Sequence, residues 1–280
     1  MSAIKFPGWR VFRRSLIPLP ACLFGAYIMY HTGVSKVFWL TNLAATILGI
    51  LVTLFIQSRQ KTFPARNLNL VAGLSVGFLL FTFFNKDMYG VHRWVFAGGL
   101  NLNAGLITCP VFLMLIFRQE GTLRPLLLFT IVTVILLMQP DASQVSAFSI
   151  SAMLLLWSRC KLPLHKVLLI LFVSAANLYT WLNLDGLAPV DYVERIVYLA
   201  GHISKFLQYT AIVLLALLAA PFFVHGTGSN SLLSFSLGVY FSITLLSAFI
   251  GNFPVIVMGY GLSPVIGYFI GLNQLLSKKY

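Results

Sequence analysis

Residues 36–57 read KVFWLTNLAATILGILVTLFIQ, an apolar run in which Lys36 is the single charged residue. About 20 consecutive apolar residues are enough for an α-helix to cross the hydrocarbon core of a bilayer. A helix satisfies all of its backbone hydrogen bonds within the segment, as lipid surroundings require. This stretch therefore predicts a transmembrane helix, and the membrane is expected to set the fold.

Further apolar runs follow the same pattern along the rest of the chain. The predicted spans are 15–32, 36–57, 69–85, 101–117, 124–139, 145–158, 166–183, 206–224, 231–250 and 261–277. Several are shorter than a usual span, which implies tilted helices or a locally thinned bilayer. The sequence predicts an all-α integral membrane protein of about ten transmembrane helices, with residues 1–280 forming a single polytopic domain.

The overall composition excludes a soluble globular protein. Hydrophobic residues make up 59% of the chain, and charged residues only 9%. An ordinary soluble domain carries about 25% charged residues. Much of the surface must therefore face lipid.

Basic residues indicate the orientation of the spans. With the N-terminus inside, 14 of the 19 Lys and Arg residues fall in inside segments and five fall outside. This bias follows the positive-inside rule, so both termini are predicted to be cytoplasmic. The expected location is an inner membrane, as a multi-pass protein. The net charge of +13 is explained in this way, and no nucleic-acid partner is predicted.

The acidic residues have the opposite distribution. Five of the six fall in predicted outside segments: Asp87, Asp141, Asp185, Asp191 and Glu194. Acidic residues contribute little to membrane insertion, so topology does not explain this asymmetry. It indicates that any chemistry faces the outer side.

Three segments predicted at the outer face carry the unusual residue types. They read GVHRWVFAG at 90–98, QPDASQ at 139–144 and GNFPVIVMGYGLSP at 251–264. Each also has a purely structural interpretation. Arg93 and Trp94 suit an interfacial anchor, Pro140 and Asp141 suit a helix end followed by an N-cap, and the third segment suits a broken helix.

In this order, the three segments resemble motifs of the SEDS family (shape, elongation, division and sporulation), the FtsW and RodA group. Members carry G-A-x-R-W-I-x-x-G before a span, Q-P-D-L-G-T at the outer end of a later span and P-L-P-F-x-S-Y-G-G-S near the C-terminus. The third match keeps Pro254, Tyr260, Gly261 and Ser263. A weaker match is Asp191-Tyr192, where the family often has Asp-Phe. The resemblance is strongest over residues 68–280 and indicates a short, partly divergent member.

The resemblance implies a glycosyltransferase that polymerises lipid II into peptidoglycan strands at the outer face, in cell division or in maintenance of cell shape. It implies a class B penicillin-binding protein as partner and a polyprenyl-pyrophosphate-linked sugar as substrate. Asp141 is the expected catalytic base. The expected substrate-binding residues are Arg93, Trp94, Gln139, Tyr260, Gly261 and Ser263. Mg²⁺ is a candidate cofactor for the pyrophosphate, although the His and Cys residues show no metal-ligand spacing.

Departures from the family pattern keep two other functions open. The family usually continues Q-P-S-E and then Lys after the Arg-Trp segment, whereas this chain has Asn103-Ala104-Gly105-Leu106 and Cys109. This difference favours a catalytically inactive scaffold that binds lipid II or a division or elongation partner. A transporter of a lipid-linked substrate is the third alternative; it would predict paired charges deep within spans and inverted repeats.

Overall fold

The computed structural model describes residues 8–59, 67–86, 88–224 and 230–276. Within these residues the chain is a bundle of α-helices with one small β-hairpin. The helices are α1 (Trp9–Ser15), α2 (Pro18–His31), α3 (Lys36–Arg59), α4 (Leu68–Phe81), α5 (Ala104–Arg118), α6 (Leu123–Met138), α7 (Ala142–Trp157), α8 (Pro163–Leu182), α9 (Ile196–Ile203), α10 (Lys205–Val224), α11 (Ser231–Ile250) and α12 (Leu262–Leu276). A 3-10 turn (Thr82–Phe84) extends α4.

Each of the ten apolar runs predicted from the sequence coincides with one of these helices. Five helical segments of the described chain are long and apolar enough to cross a membrane: Trp9–His31, Lys36–Arg59, Pro163–Leu182, Lys205–Val224 and Ser231–Ile250. The remaining apolar helices α4, α5, α6, α7 and α12 are shorter. A multi-pass helical membrane protein is thus supported, while the number of spans and the side on which the termini lie stay predictions.

Large apolar side chains cover the outer surface of the bundle. Leu48 on α3, Leu171 on α8 and Val213 on α10 are each more than half exposed. Contiguous apolar surface of this kind is rare on soluble monomers, and it is the ordinary lipid-facing surface of a membrane bundle.

Helix α7 forms the centre of the bundle. It packs against α5, α6, α8 and α11, and every residue from Ala142 to Ser149 is buried. Four of its first six residues, Ala142, Ser143, Ser146 and Ala147, carry small side chains, so neighbouring helices approach closely. The N-terminal end of α7 is therefore buried inside the bundle.

The hairpin consists of β1 (Trp94–Ala97) and β2 (Leu100–Asn103), which pair in antiparallel register with Trp94 opposite Asn103. Gly98 and Gly99 form its two-residue turn with φ of 56° and 81°. A tight turn with positive φ at both central positions favours glycine. The hairpin leads directly into α5, and it marks what we call the hairpin end of the bundle.

The loop 183–195 and the segment 251–261 also lie at the hairpin end, and backbone hydrogen bonds join them. Val255 N–H donates to Val193 O at 3.0 Å, and Tyr260 N–H donates to Tyr192 O at 2.9 Å. Buried Asn42 on α3 donates to Val257 O at 2.8 Å. The two loops therefore form one fixed layer over the helix ends.

Candidate functional site

The first two motif segments meet at the hairpin end, where Arg93 lies beside Asp141. Arg93 immediately precedes β1, and Asp141 is the N-cap of α7. Arg93 Nε is 3.7 Å from Asp141 Oδ2. The hairpin and the α6–α7 turn thus bring together two side chains that are 48 positions apart in the sequence.

The guanidinium of Arg93 is held on several sides. Its Nη2 donates to Pro140 O and to a carboxylate oxygen of Asp185 in the 183–195 loop. The rings of Trp94 and Phe253 lie 5.8 and 5.6 Å from the guanidinium carbon. Only 4% of Arg93 is exposed, so the cation is enclosed by carboxylates, a carbonyl and aromatic faces.

Asp141 is equally enclosed, with 3% exposure. Its Oδ1 accepts the Gln144 backbone N–H at 3.1 Å, which is the N-cap contact of α7. Its Oδ2 accepts from Asn103 Nδ2 at 3.3 Å. The helix-capping interpretation of Asp141 is therefore confirmed, and it coexists with the contact to Arg93.

Asn103 connects Asp141 to Ser263, and sequence reasoning did not select it. Its Oδ1 accepts from Leu106 N at 3.0 Å and caps α5, while its backbone N–H donates to Ser263 Oγ at 2.8 Å. Ser263, a predicted substrate contact, is thus a buried link between α12 and the hairpin. The position of Asn103 directly before an apolar run was the available signal, since Asn is a favoured N-cap.

Gln139 and Tyr260 contact other parts of the protein rather than the Arg93–Asp141 pair. Gln139 Nε2 donates to Thr82 Oγ1 at 2.8 Å and to Leu79 O at 3.1 Å, which ties α6 to the end of α4. The Tyr260 ring packs edge-on against Phe38 at 4.9 Å. Their predicted substrate contacts stay predictions.

Gly261 belongs to the same fixed loop layer as Tyr260. Its backbone N–H donates to Asn42 Oδ1 at 3.3 Å, so this donor is engaged by the protein. Asn42 Nδ2 also donates to Gly259 O at 3.3 Å. One amide side chain therefore fixes the Gly-Tyr-Gly turn.

Glu194 is a second acidic neighbour of Arg93 in the 183–195 loop. Burial raises the pKa of this carboxyl to about 7, opposed by the Val190 N–H that it accepts and by the charge of Arg93. The nearby charge of Asp185 adds to the increase. Asp141 and Asp185 thus contact the guanidinium directly, while Glu194 interacts with its charge from farther away, and the predicted outside acids include all three.

The described residues contain no group of three or more His, Cys, Asp and Glu side chains placed to hold a metal ion. Asp141 and Asp185 both contact Arg93, which supplies the positive charge that a cation would bring. Mg²⁺ is commonly held by one or two carboxylates together with substrate phosphates, so its role here stays a prediction.

Comparison with known proteins identifies the fold. No family model matches the chain, and no curated protein matches it. Two crystal structures of the Thermus thermophilus rod shape determining protein RodA, one of them a point mutant, match with a TM-score of 0.71, at 18% and 17% identity, over 95% of both chains. A chain from a structure described as a peptidoglycan synthase complex coordinating polymerization and crosslinking matches at TM-score 0.71 and 18% identity, over 98% of both chains. The chain has the RodA fold, in agreement with the resemblance seen in its motifs.

Proposed function

We propose that this protein is a SEDS-like peptidoglycan glycosyltransferase that polymerises lipid II at the outer face of the bacterial inner membrane. The observation that carries the proposal is the contact between Arg93 and Asp141 at one end of a RodA-like bundle. The pair joins a carboxylate base to a cation suited to pyrophosphate. The substrate is a polyprenyl-pyrophosphate-linked sugar.

The reaction assigns one task to each member of the pair. A sugar hydroxyl attacks the anomeric carbon of a second, lipid-linked sugar. A new carbon–oxygen bond forms as the bond to the pyrophosphate oxygen breaks. Asp141 accepts the hydroxyl proton, and Arg93 stabilises the charge that develops on the leaving pyrophosphate.

Access to this pair requires the 183–195 loop to move. Asp185 occupies the Arg93 donor that a pyrophosphate oxygen would use. Substrate binding therefore replaces one carboxylate with a more highly charged anion, and the arginine keeps a charge-assisted partner throughout. Trp94 and Phe253 exclude water from the guanidinium, which strengthens its interaction with the incoming group.

The RodA-like fold also supports a partner. One of the similar solved structures is a peptidoglycan synthase complex. We propose a class B penicillin-binding protein as the partner that crosslinks the glycan. Division and elongation are equally compatible with this arrangement.

The test is glycan polymerisation by the purified protein in nanodiscs supplied with lipid II and Mg²⁺, with and without the candidate transpeptidase. Wild type is compared with Asp141→Asn, which keeps an N-cap acceptor while removing the base. Glu120→Gln, at an exposed carboxylate beyond the opposite end of α5, is the matched control. We expect polymer from wild type and the control, and a loss of about 10²–10⁴-fold in Asp141→Asn. Equal activity in all three would refute the role of Asp141.

A second candidate is the inactive scaffold, and one specific observation favours it. Asp141 is almost fully buried and already engaged by Gln144, Asn103 and Arg93. A carboxylate in that environment is also suited to holding structure. Lipid II binding without polymer, in the presence and absence of the transpeptidase, would select the scaffold. The ion pairs found among the described residues both involve Arg93 at the hairpin end, so they do not favour the transporter.

A further inference from the structure

A groove of about 560 Å³ opens between α9 and the C-terminal end of α11, beside the loop that carries Asp191. Its volume falls within the range of small-molecule sites. One wall is polar and the other is apolar. None of its lining residues takes part in the Arg93–Asp141 site.

The polar wall is one face of α9 and the residue that precedes it. Arg195, Tyr198, Leu199 and His202 line the groove with the i, i+3, i+4, i+7 spacing of a single helix face. Ile196, Val197 and Ala200 on the other face are buried against the bundle. The helix therefore presents Arg195 and His202 to the groove because its apolar face is anchored.

The charged groups in the groove are available to a ligand. Arg195, His202 and Asp191 are exposed, and among the described residues the side chains of Arg195 and Asp191 form no ion pair. Arg195 N–H donates to Asp191 O at 3.1 Å, so the two residues are adjacent across one helical turn. Within the described part of the chain, the groove is thus lined by a cation and an anion that have no ion-pair partner.

The opposite wall of the groove is apolar. It is formed by Phe249 and Ile250 at the end of α11, and Ile250 is 72% exposed. Phe206 near the start of α10 is also exposed, by 74%. Polar residues therefore meet apolar surface at this level of the bundle, as they do where headgroups meet acyl chains.

We propose that this groove binds one zwitterionic phospholipid whose headgroup carries a primary ammonium, of the phosphatidylethanolamine type. Arg195 and His202 bind the phosphate, Asp191 accepts hydrogen bonds from the ammonium, and an acyl chain lies on Phe249 and Ile250. The carboxylate of Asp191 repels a headgroup that carries a negative charge and no positive one. A trimethylated headgroup has no N–H to donate to it.

The lipid would support the layer that covers the candidate site. Asp191 directly precedes Tyr192 and Val193, whose carbonyls accept from Tyr260 and Val255. A ligand bound to Asp191 would therefore restrict the motion of residues 192 and 193, which hold the 251–261 segment in place. The inference is independent of the proposed glycosyltransferase activity.

Native mass spectrometry of the full-length protein tests the proposal. Phosphatidylethanolamine, phosphatidylcholine and phosphatidylglycerol with identical acyl chains are titrated separately. We expect phosphatidylethanolamine to bind about tenfold more tightly than the other two, the effect of one charge-assisted hydrogen-bond contact. Asp191→Asn should reduce its affinity to that of phosphatidylcholine, and Arg195→Gln should weaken all three lipids by a similar factor.

Lys205→Gln is the matched control. Lys205 is an exposed cation two residues beyond α9 that contacts Gln208 at 3.2 Å and does not line the groove. Its substitution should leave the lipid preference unchanged. The proposal would be overturned if phosphatidylglycerol bound as tightly as phosphatidylethanolamine. It would also be overturned if Lys205→Gln lost the preference for phosphatidylethanolamine while the groove variants kept it. Unchanged binding in both groove variants would do the same.

Discussion

At the scale of single residues, the pairing of Arg93 makes it more sensitive to substitution than any exposed arginine. Removing a buried cation leaves its carboxylates without compensation, at a cost of about 3–5 kcal/mol. We expect Arg93→Gln to lower the free energy of unfolding by this amount, because Asp141 and Asp185 would lose their common partner. Thermal unfolding of the detergent-solubilised protein measures the loss.

A double-mutant cycle separates the ion pair from other effects of this change. Combining Arg93→Gln with Asp185→Asn should recover part of the lost stability, since one uncompensated charge is removed. Arg195→Gln is the control, at an exposed arginine without an ion pair among the described residues, and it should cost less than about 1 kcal/mol. Strict additivity of the two single changes would contradict the pairing.

Glu194 gives the stability of the loop a predictable pH dependence. Burial raises its pKa from 4.5 to about 7, so the folded state binds more protons than the unfolded state between these values. Stability should therefore fall as the pH rises from 4.5 to 7. We expect a decrease in Tm of about 2 °C, kept small by solvent screening of this half-buried group.

The Glu194→Gln variant checks that assignment, because it cannot ionise. Its melting temperature should exceed that of wild type at pH 7 and equal it near pH 4.5. The matched variant Asp191→Asn, at an exposed position in the same loop, should keep the wild-type slope. A slope that persists in Glu194→Gln would assign the dependence to another group.

At the scale of helices, the contact between α12 and α5 positions Ser263 against Asn103. Gly267 makes this approach possible, because a Cβ there would lie 2.0 Å from Leu106 O. We expect Gly267→Ala to force the helices apart and to destabilise the protein by about 1–3 kcal/mol, as overpacking does. It should also reduce any activity that depends on Asp141, through Asn103.

Gly73→Ala provides the matched comparison within α4. A Cβ at Gly73 would meet no atom within 4 Å, and alanine is the better helix former by up to about 1 kcal/mol. This variant should be neutral or slightly more stable in thermal unfolding. Similar destabilisation by both alanines would show that close packing at Gly267 is not the cause.

Helix positions were predictable because they follow from local apolar runs. The runs at 36–57 and 231–250 match α3 and α11 to within two residues at either end. The hairpin at 94–103 was missed, since its strands lie within a stretch too short and too mixed to show alternation. Helix α9 was missed as well, because eight residues give only two turns of periodicity.

At the scale of the whole molecule, the sequence predicted only some of the residues that meet at the candidate site. Motif order identified Arg93 and Asp141, which the fold brings together, but not Asp185 or Asn103. Asp185 lies 92 positions from Arg93, and Asn103 lies 160 positions from Ser263. Contacts of that separation depend on helix packing, which no local pattern of residue types encodes.

The orientation of the bundle in the membrane is the remaining whole-molecule prediction, and it rests on 14 basic residues inside against five outside. This bias places the hairpin end outside, because cytoplasmic loops retain Lys and Arg during insertion. Gly186→Cys and Glu120→Cys introduce thiols at exposed positions on opposite ends of the bundle, while native Cys22, Cys109 and Cys160 are buried. A membrane-impermeant maleimide should label Gly186→Cys in spheroplasts and Glu120→Cys only after permeabilisation. The reverse pattern would place Arg93 and Asp141 on the cytoplasmic side. A site there could not polymerise lipid II at the outer face, so the proposed function would be wrong.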